Sequence, residues 1–416
     1  MTYASLDQRR WAILIASCLV NLCIGSLYAW SVFASPMAEH LARLSGGVPQ
    51  NLALTFTVAN AVGPITMISG GIINERLGLR KIVVIGGTLF AVGMIASGFA
   101  TSAAMLLVTY GLGVGLGVGM VYGATVSNTV KLFPDRAGLA GGLATASYGL
   151  SSVVVPIVAN ALISFFGVAD SFKILGVAMF VVICAASFVI EECPIDYSPA
   201  GWTPLHSDER ASASHVQKNW TEMLRDPLFY TMIAMLCCGA FAGLMVTSQA
   251  SSIAQVMMGM DAGTAALVVS VLALLNTSGR IASGALADRI GSLATIRVVF
   301  IAAIAAMGAL YASAAGSFAL FCGGICLAGF CFGSIMGIYP GFTAAQFGTR
   351  YNSVNYGIMF IGFAAAGFFG PTIMSSVLGA TGSYAPAFLV ALVLAAAGLF
   401  VTFVFGAQKR QVQSGE

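Results

Sequence analysis

Twelve long apolar runs alternate along this chain with short polar stretches rich in Gly, Pro, Asp and basic residues. Each run is long enough to cross, as a helix, a hydrocarbon core about 30 Å thick. The pattern predicts membrane-spanning helices near 11–36, 52–73, 82–101, 104–132, 138–166 and 170–190, then 227–257, 262–287, 294–315, 317–347, 353–380 and 384–406. A polar segment, 191–226, separates the two sets. The expected fold is an all-α membrane protein: a six-helix half over 1–190, a linker over 191–226, and a second six-helix half over 227–416 ending in a short tail.

Composition agrees: 58% of residues are hydrophobic and 8% charged, against about 25% charged in a soluble domain. The opening MTYASLDQRRW leads into the first apolar run without a small-residue cleavage site, which predicts a retained first helix. Charge placement predicts the topology. With the N-terminus in the cytoplasm, fifteen of the eighteen Lys and Arg residues fall in cytoplasmic segments or at the cytoplasmic ends of spans, Arg43 and Lys173 fall on the outer side, and Arg280 is left in the membrane. Both termini then face the cytoplasm, as in a multi-pass protein of the cell (inner) membrane. The nine cysteines lie in or beside apolar runs and read as small hydrophobes.

The chain also repeats itself. Gly71-x-x-x-Glu75-Arg76-x-Gly78 follows the second run, and Gly284-x-x-x-Asp288-Arg289-x-Gly291 follows the eighth, at an offset of 213 residues. Phe133-Pro134-Asp135-Arg136 and Phe347-Gly348-Thr349-Arg350 follow the fourth and tenth at an offset of 214. These loops resemble the signature of the major facilitator superfamily. That resemblance implies two halves that rock about a midplane site, with Glu75, Arg76, Asp288, Arg289, Asp135 and Arg136 as gating residues and not as substrate ligands.

Arg280 is the candidate binding residue. A charge at membrane depth costs about 2.5–3.5 kcal/mol on insertion scales and usually marks function. All fifteen acidic residues fall in loops, tails or helix ends, and Asp288 lies roughly 12 Å farther along the helix on another face. A guanidinium that is always charged and shaped for carboxylates then expects its anion in the substrate. Asn276, Thr277, Ser283 and Gly284 share its face by i±3 and i±4 spacing. Asn276 can serve the substrate or a neighbouring helix. Tyr339 is expected at the depth of Arg280, while Tyr28 and Tyr122 are aromatic candidates for the cavity or for packing. The alternating glycines from Gly111 to Gly119 lack a strand–turn–helix context and predict close helix approach, not a dinucleotide site.

His40, His206 and His215 all lie in loops, and no intramembrane set of catalytic or metal-ligating residues is legible. The sequence therefore predicts a non-enzyme with no cofactor.

Four segments carry a narrower resemblance: 25–36 (GSLYAWSVFASP), 121–142 (VYGATVSNTVKLFPDRAGLAGG), 221–229 (TEMLRDPLF) and 339–357 (YPGFTAAQFGTRYNSVNYG). They resemble the oxalate:formate antiporter family, neighbour of the monocarboxylate transporters, and within it the bacterial proton-coupled lactate carriers. The resemblance implies that the eighth-helix arginine, here Arg280, holds the substrate carboxylate. The oxalate carriers bear a second intramembrane cation eight residues after the Asn of an N-Y-G motif. Here that motif is Asn355-Tyr356-Gly357, and Phe363 takes the cation's place. Phe360 and Phe363 then suggest an apolar wall for a short alkyl chain. Mammalian-type relatives carry an Asp four residues before the arginine, and here that residue is Asn276.

The leading expectation is proton symport of a small monocarboxylate, such as lactate or pyruvate, by alternating access. An oxalate:formate-type exchanger and a transporter-like sensor are the alternatives. The expected partners are a monocarboxylate anion, a proton and the lipid bilayer, without nucleic acid and with no oligomer required.

Overall fold

In a computed structural model the described residues are 3–194, 197–199, 202 and 216–414. Among them every regular element is helical. Eleven helices are long and apolar enough to span a membrane. One of these, Ala137–Val189, breaks at Gly167 (φ 77°, ψ 167°) and supplies the fifth and sixth spans, so twelve are present among the described residues. The protein is a multi-pass, all-helical membrane protein.

The chain divides into two compact units. The first comprises Met1–Asp135, Ser147–His206 and Thr349–Ile358. Its first span runs Tyr3–Ile24, tightens into a 3₁₀ turn at Gly25–Ala29 and resumes as Trp30–Ser45. Gly25 permits that course, because a Cβ there would collide with the Tyr148 carbonyl and lie 2.8 Å from Ser151 Cβ. The second span is Ala53–Leu77 and the third Leu79–Ser97. The fourth begins at Ala103–Leu106, passes through a π-helical stretch at Leu107–Val114 and continues as Gly115–Leu132. Its glycine run does what its spacing predicts. Gly115 and Gly119 meet the second span at Ala59 and Gly63, and Gly117 meets the third at Phe90 and Gly86. Small residues at these points let helix backbones approach closely where lipid gives no hydrophobic drive for association.

The second unit comprises Arg136–Ala146, Ser207–Gly348 and Met359–Glu416. Its full spans are Pro227–Met258 (seventh), Ala262–Ile290 (eighth), Ser292–Ala312 (ninth), Phe318–Phe347 (tenth) and Ala385–Ser414 (twelfth), with most of Asn352–Thr381 (eleventh). Local chemistry sets their starts. Asp226 caps the seventh by accepting from Leu228 N at 2.9 Å, with Pro227 in the first turn, and Asp261 caps the eighth by accepting from Thr264 N at 3.0 Å. A short helix, Trp220–Arg225, closed by an Asn219–Glu222 capping box, precedes the seventh span. The core of this unit gathers Met245, Phe321, Phe332, Met374 and Phe388. Large apolar side chains such as Phe165, Phe188 and Phe400 stay exposed, as suits helices facing lipid.

The repeated loops have a backbone cause. Their closing glycines adopt nearly one conformation, Gly78 at φ 82°, ψ 155° and Gly291 at φ 87°, ψ 150°, a region essentially restricted to glycine.

Candidate functional site

Arg280 lies inside the second unit with 4% of its surface exposed. Glycines on both sides place it there. A Cβ at Gly142 of the fifth span or at Gly337 of the tenth would run into the Arg280 carbonyl, and one at Gly333 into that of Asn276. The eighth helix is thus held by backbone contact at the level of its charge.

The guanidinium reaches two acceptors. Nε donates to Asn276 Oδ1 at 3.0 Å, and Nη1 donates to the Thr145 carbonyl oxygen at 2.7 Å. Both acceptors are neutral, and among the described residues no carboxylate pairs with Arg280. Two of its five N–H groups are directed and its charge is unbalanced, which is a costly arrangement inside a protein. Asn276, 7% exposed, bonds the arginine directly.

The other residues of the polar face are engaged locally. Thr277 Oγ1 donates to the Ala273 carbonyl at 3.0 Å. Ser283 Oγ donates to the carbonyls of Gly279 and, at 3.2 Å, Ser334. Gly284 packs against the Gly138 carbonyl. Tyr339 is fully buried and its hydroxyl donates to the Met232 carbonyl at 2.7 Å, toward the seventh span and not to Arg280. Its depth agrees with the sequence, since Gly337, two residues earlier, touches Arg280.

Phe360 and Phe363 form part of an aromatic stack. Their ring centroids lie 4.5 Å apart, and Phe363 lies parallel to Phe332 at 6.4 Å with a 6° interplanar angle. Phe332, absent from the sequence expectation, is seated against Gly243, where any Cβ would strike its ring.

Tyr28 and Tyr122 belong to the first unit, where both pack on Tyr148, at centroid distances of 5.2 and 4.8 Å. Tyr148 was not among the sequence candidates. The fifth span carries both Tyr148 and, one turn earlier, Thr145.

Among the gating candidates, Asp288 accepts from the backbone N–H of Gly138 at 2.9 Å and of Leu139 at 2.8 Å, so its carboxylate caps the start of the fifth span. Asp135 receives both Nη atoms of Arg10, at 2.7 and 3.3 Å, and Arg10 also pairs with Asp7 at 3.3 Å. Arg136 and Arg289 are exposed. The side chains of Glu75 and Arg76 lie outside the described residues, as do His206 and His215.

A family model of the Major Facilitator Superfamily matches residues 13–371. The chain belongs to the major facilitator superfamily. That superfamily is one of membrane transporters, so the chain is a transporter. Among its superfamily relatives, the oxalate:formate antiporter of Oxalobacter formigenes is 26% identical over 407 residues, covering 97% of this chain and 93% of that one. Monocarboxylate transporter 11 of Mus musculus is 26% identical over 410 residues, covering 94% and 86%. The fucose:proton symporter of Escherichia coli shares the fold, with a TM-score of 0.69 at 16% identity over 95% of this chain and 99% of that structure.

Proposed function

We propose that this transporter carries small monocarboxylates of the lactate or pyruvate type together with a proton, by alternating access, with the carboxylate bound to Arg280. The observation that carries this reading is the buried guanidinium held, among the described residues, by neutral oxygens. A carboxylate brings the opposite charge and a two-pronged fit to the guanidinium fork, neither of which the neutral oxygens of Asn276 and Thr145 supply. Asn276 orients the guanidinium, and Phe360 and Phe363 flank the substrate's short alkyl end. With Arg280 as the cation of the site, one carboxylate is the natural load, since a dicarboxylate would leave a buried charge unmatched. Tyr28 and Tyr122 are aromatic candidates for substrate contact. Tyr339, bonded to the seventh span, supports the tenth. Asp288, Arg289, Asp135, Arg136, Glu75 and Arg76 act in conformational exchange.

Electrical cost supports a co-transported proton. Moving a lone anion into a negative interior costs roughly 2.3 kcal/mol per 100 mV, and a proton removes that cost. In this reading the protein sits in the cell (inner) membrane with both termini in the cytoplasm, the side where most loop Lys and Arg residues fall.

Exchange of carboxylates is the second reading, favoured by the similarity to an oxalate:formate antiporter along nearly the whole chain. Liposomes holding purified protein separate the two. Uptake of labelled lactate driven by an inward proton gradient, with no anion inside, is the result expected of symport. Uptake that requires an internal carboxylate would establish exchange instead.

A further inference from the structure

Two arginines approach one residue, Gly406, at one end of the second unit. Arg297, in the ninth span, is half-buried against the twelfth. Its Nε donates to Thr402 Oγ1 and its Nη2 to the Thr402 carbonyl, both at 3.2 Å. The guanidinium lies over the ring of Phe403, 4.7 Å from the centroid. One turn on, Gly406 brings in the second arginine. A Cβ at Gly406 would stand 3.0 Å from Arg297 Nη2, and the Gly406 carbonyl accepts from Arg410 Nε at 3.2 Å. Among the described residues no carboxylate pairs with either arginine.

Like charges placed together without a counter-charge repel unless an anion joins them. The surroundings say what kind of anion. Phe403 is 55% exposed, and Val298, Ile301 and Phe400 are exposed around it on the lipid-facing surface of the ninth and twelfth spans. A guanidinium pair above an exposed apolar strip fits a phosphate diester carrying acyl chains.

The other half of the chain supplies an internal control. Arg80 makes the same clamp: Nε donates to the Ser187 carbonyl at 2.7 Å, Nη2 donates to that of Phe188 at 2.6 Å, and the guanidinium covers the Phe188 ring at 5.3 Å. There, however, the Glu192 carboxylate accepts from Leu79 N, the residue next to Arg80, at 3.3 Å. The two clamps differ in net charge, not in design.

We propose that Arg297 and Arg410 form a binding site for the phosphate of an anionic phospholipid, with its acyl chains along Phe403, and that the Arg80 clamp does not. The site is separate from the Arg280 reading and does not depend on it.

The test is native mass spectrometry of the purified, full-length protein titrated with phosphatidylglycerol or phosphatidylcholine. The wild type should retain phosphatidylglycerol in preference. A basic residue at an anionic lipid surface is worth about fivefold in affinity, so Arg297→Gln with Arg410→Gln should weaken retention roughly 30-fold. Gly406→Glu, which keeps both arginines but sets a carboxylate beside Arg297, should do the same, while Arg80→Gln should leave retention unchanged. Arg297→Lys with Arg410→Lys keeps the charge and should stay within a few-fold of wild type. Size-exclusion profiles verify that each variant is folded. Equal retention of the two lipids, undiminished retention in the double Gln variant, or an equal loss in Arg80→Gln would overturn the proposal. Inorganic phosphate alone binding as tightly as the lipid would assign the site to a soluble anion and overturn it as well.

Discussion

Arg280 Nη1 and the carbonyl oxygen of Thr145 are 2.7 Å apart, and that bond joins the buried charge of the eighth span to a backbone acceptor of the fifth. A carbonyl can hold a guanidinium without neutralising it. The arrangement keeps the arginine oriented and leaves its charge available to an anion.

Asn276 is the residue on which this availability rests, since its side-chain oxygen contacts Nε without carrying a charge. Asn276→Asp would place a carboxylate against Arg280 and give it an internal partner. Lactate would then compete with that partner. The expected outcome is a KM for lactate raised at least about tenfold, equivalent to about 1.4 kcal/mol, measured as initial uptake in liposomes. An unchanged KM would mean that the charge balance at Arg280 does not govern binding.

The aromatic stack addresses selectivity. Phe363 lies parallel to Phe332 and beside Phe360. Phe363→Lys adds a second cation and removes apolar surface, so lactate transport should weaken and oxalate should become a competitor of labelled lactate uptake. If oxalate still fails to compete while the variant is inserted and folded, one cation against two does not set the choice between mono- and dicarboxylate.

The close approaches around Arg280 leave no room for a side chain. Gly337→Val would press into the Arg280 backbone, whose Cα is 2.6 Å from the position of a Cβ. Overpacking of this kind costs about 1–3 kcal/mol, expected as a lower melting temperature in detergent together with loss of transport. Gly323 of the same helix has nothing within 4 Å of that position. Gly323→Ala should melt and transport like the wild type.

Asp288 presents both oxygens to backbone donors at the start of the fifth span. Asp288→Asn keeps the shape, loses the charge and turns an N–H₂ toward one of those donors. The expected loss is about 0.5–2 kcal/mol, visible as a lower melting temperature with lactate binding retained. A variant as stable as the wild type would show that this cap has no energetic role.

Hydropathy revealed the spans because lipid demands continuous apolar helices, and the twelve predicted runs correspond to the twelve observed. Their ends extend farther than predicted where polar partners hold the extra turns. The first helix begins at Tyr3 because Arg9 and Arg10 find Glu191 and Asp135. The glycines of the repeated loops were legible as a pattern, and their positive φ is its cause. Asn276 and Arg280 were legible as neighbours from i, i+4 spacing. Thr145 was not, because a backbone carbonyl leaves no mark in a sequence. Phe332 and Tyr148 were hidden for another reason: an aromatic residue in a bundle looks the same whether it fills space or arranges other rings. The direction of the Tyr339 hydroxyl depends on helix rotation about its axis, which depth along the chain does not determine.

The most direct test of the account is counterflow of labelled lactate with no proton gradient, comparing wild type, Arg280→Lys and Arg280→Gln at matched reconstitution. Counterflow reports binding and passage of the carboxylate whatever the coupling. Arg280→Gln should fall to the protein-free background while remaining monodisperse, and Arg280→Lys, which keeps the charge but loses the fork, should retain only a small fraction of the wild-type rate. Wild-type counterflow in Arg280→Gln would contradict the assignment of the carboxylate to Arg280.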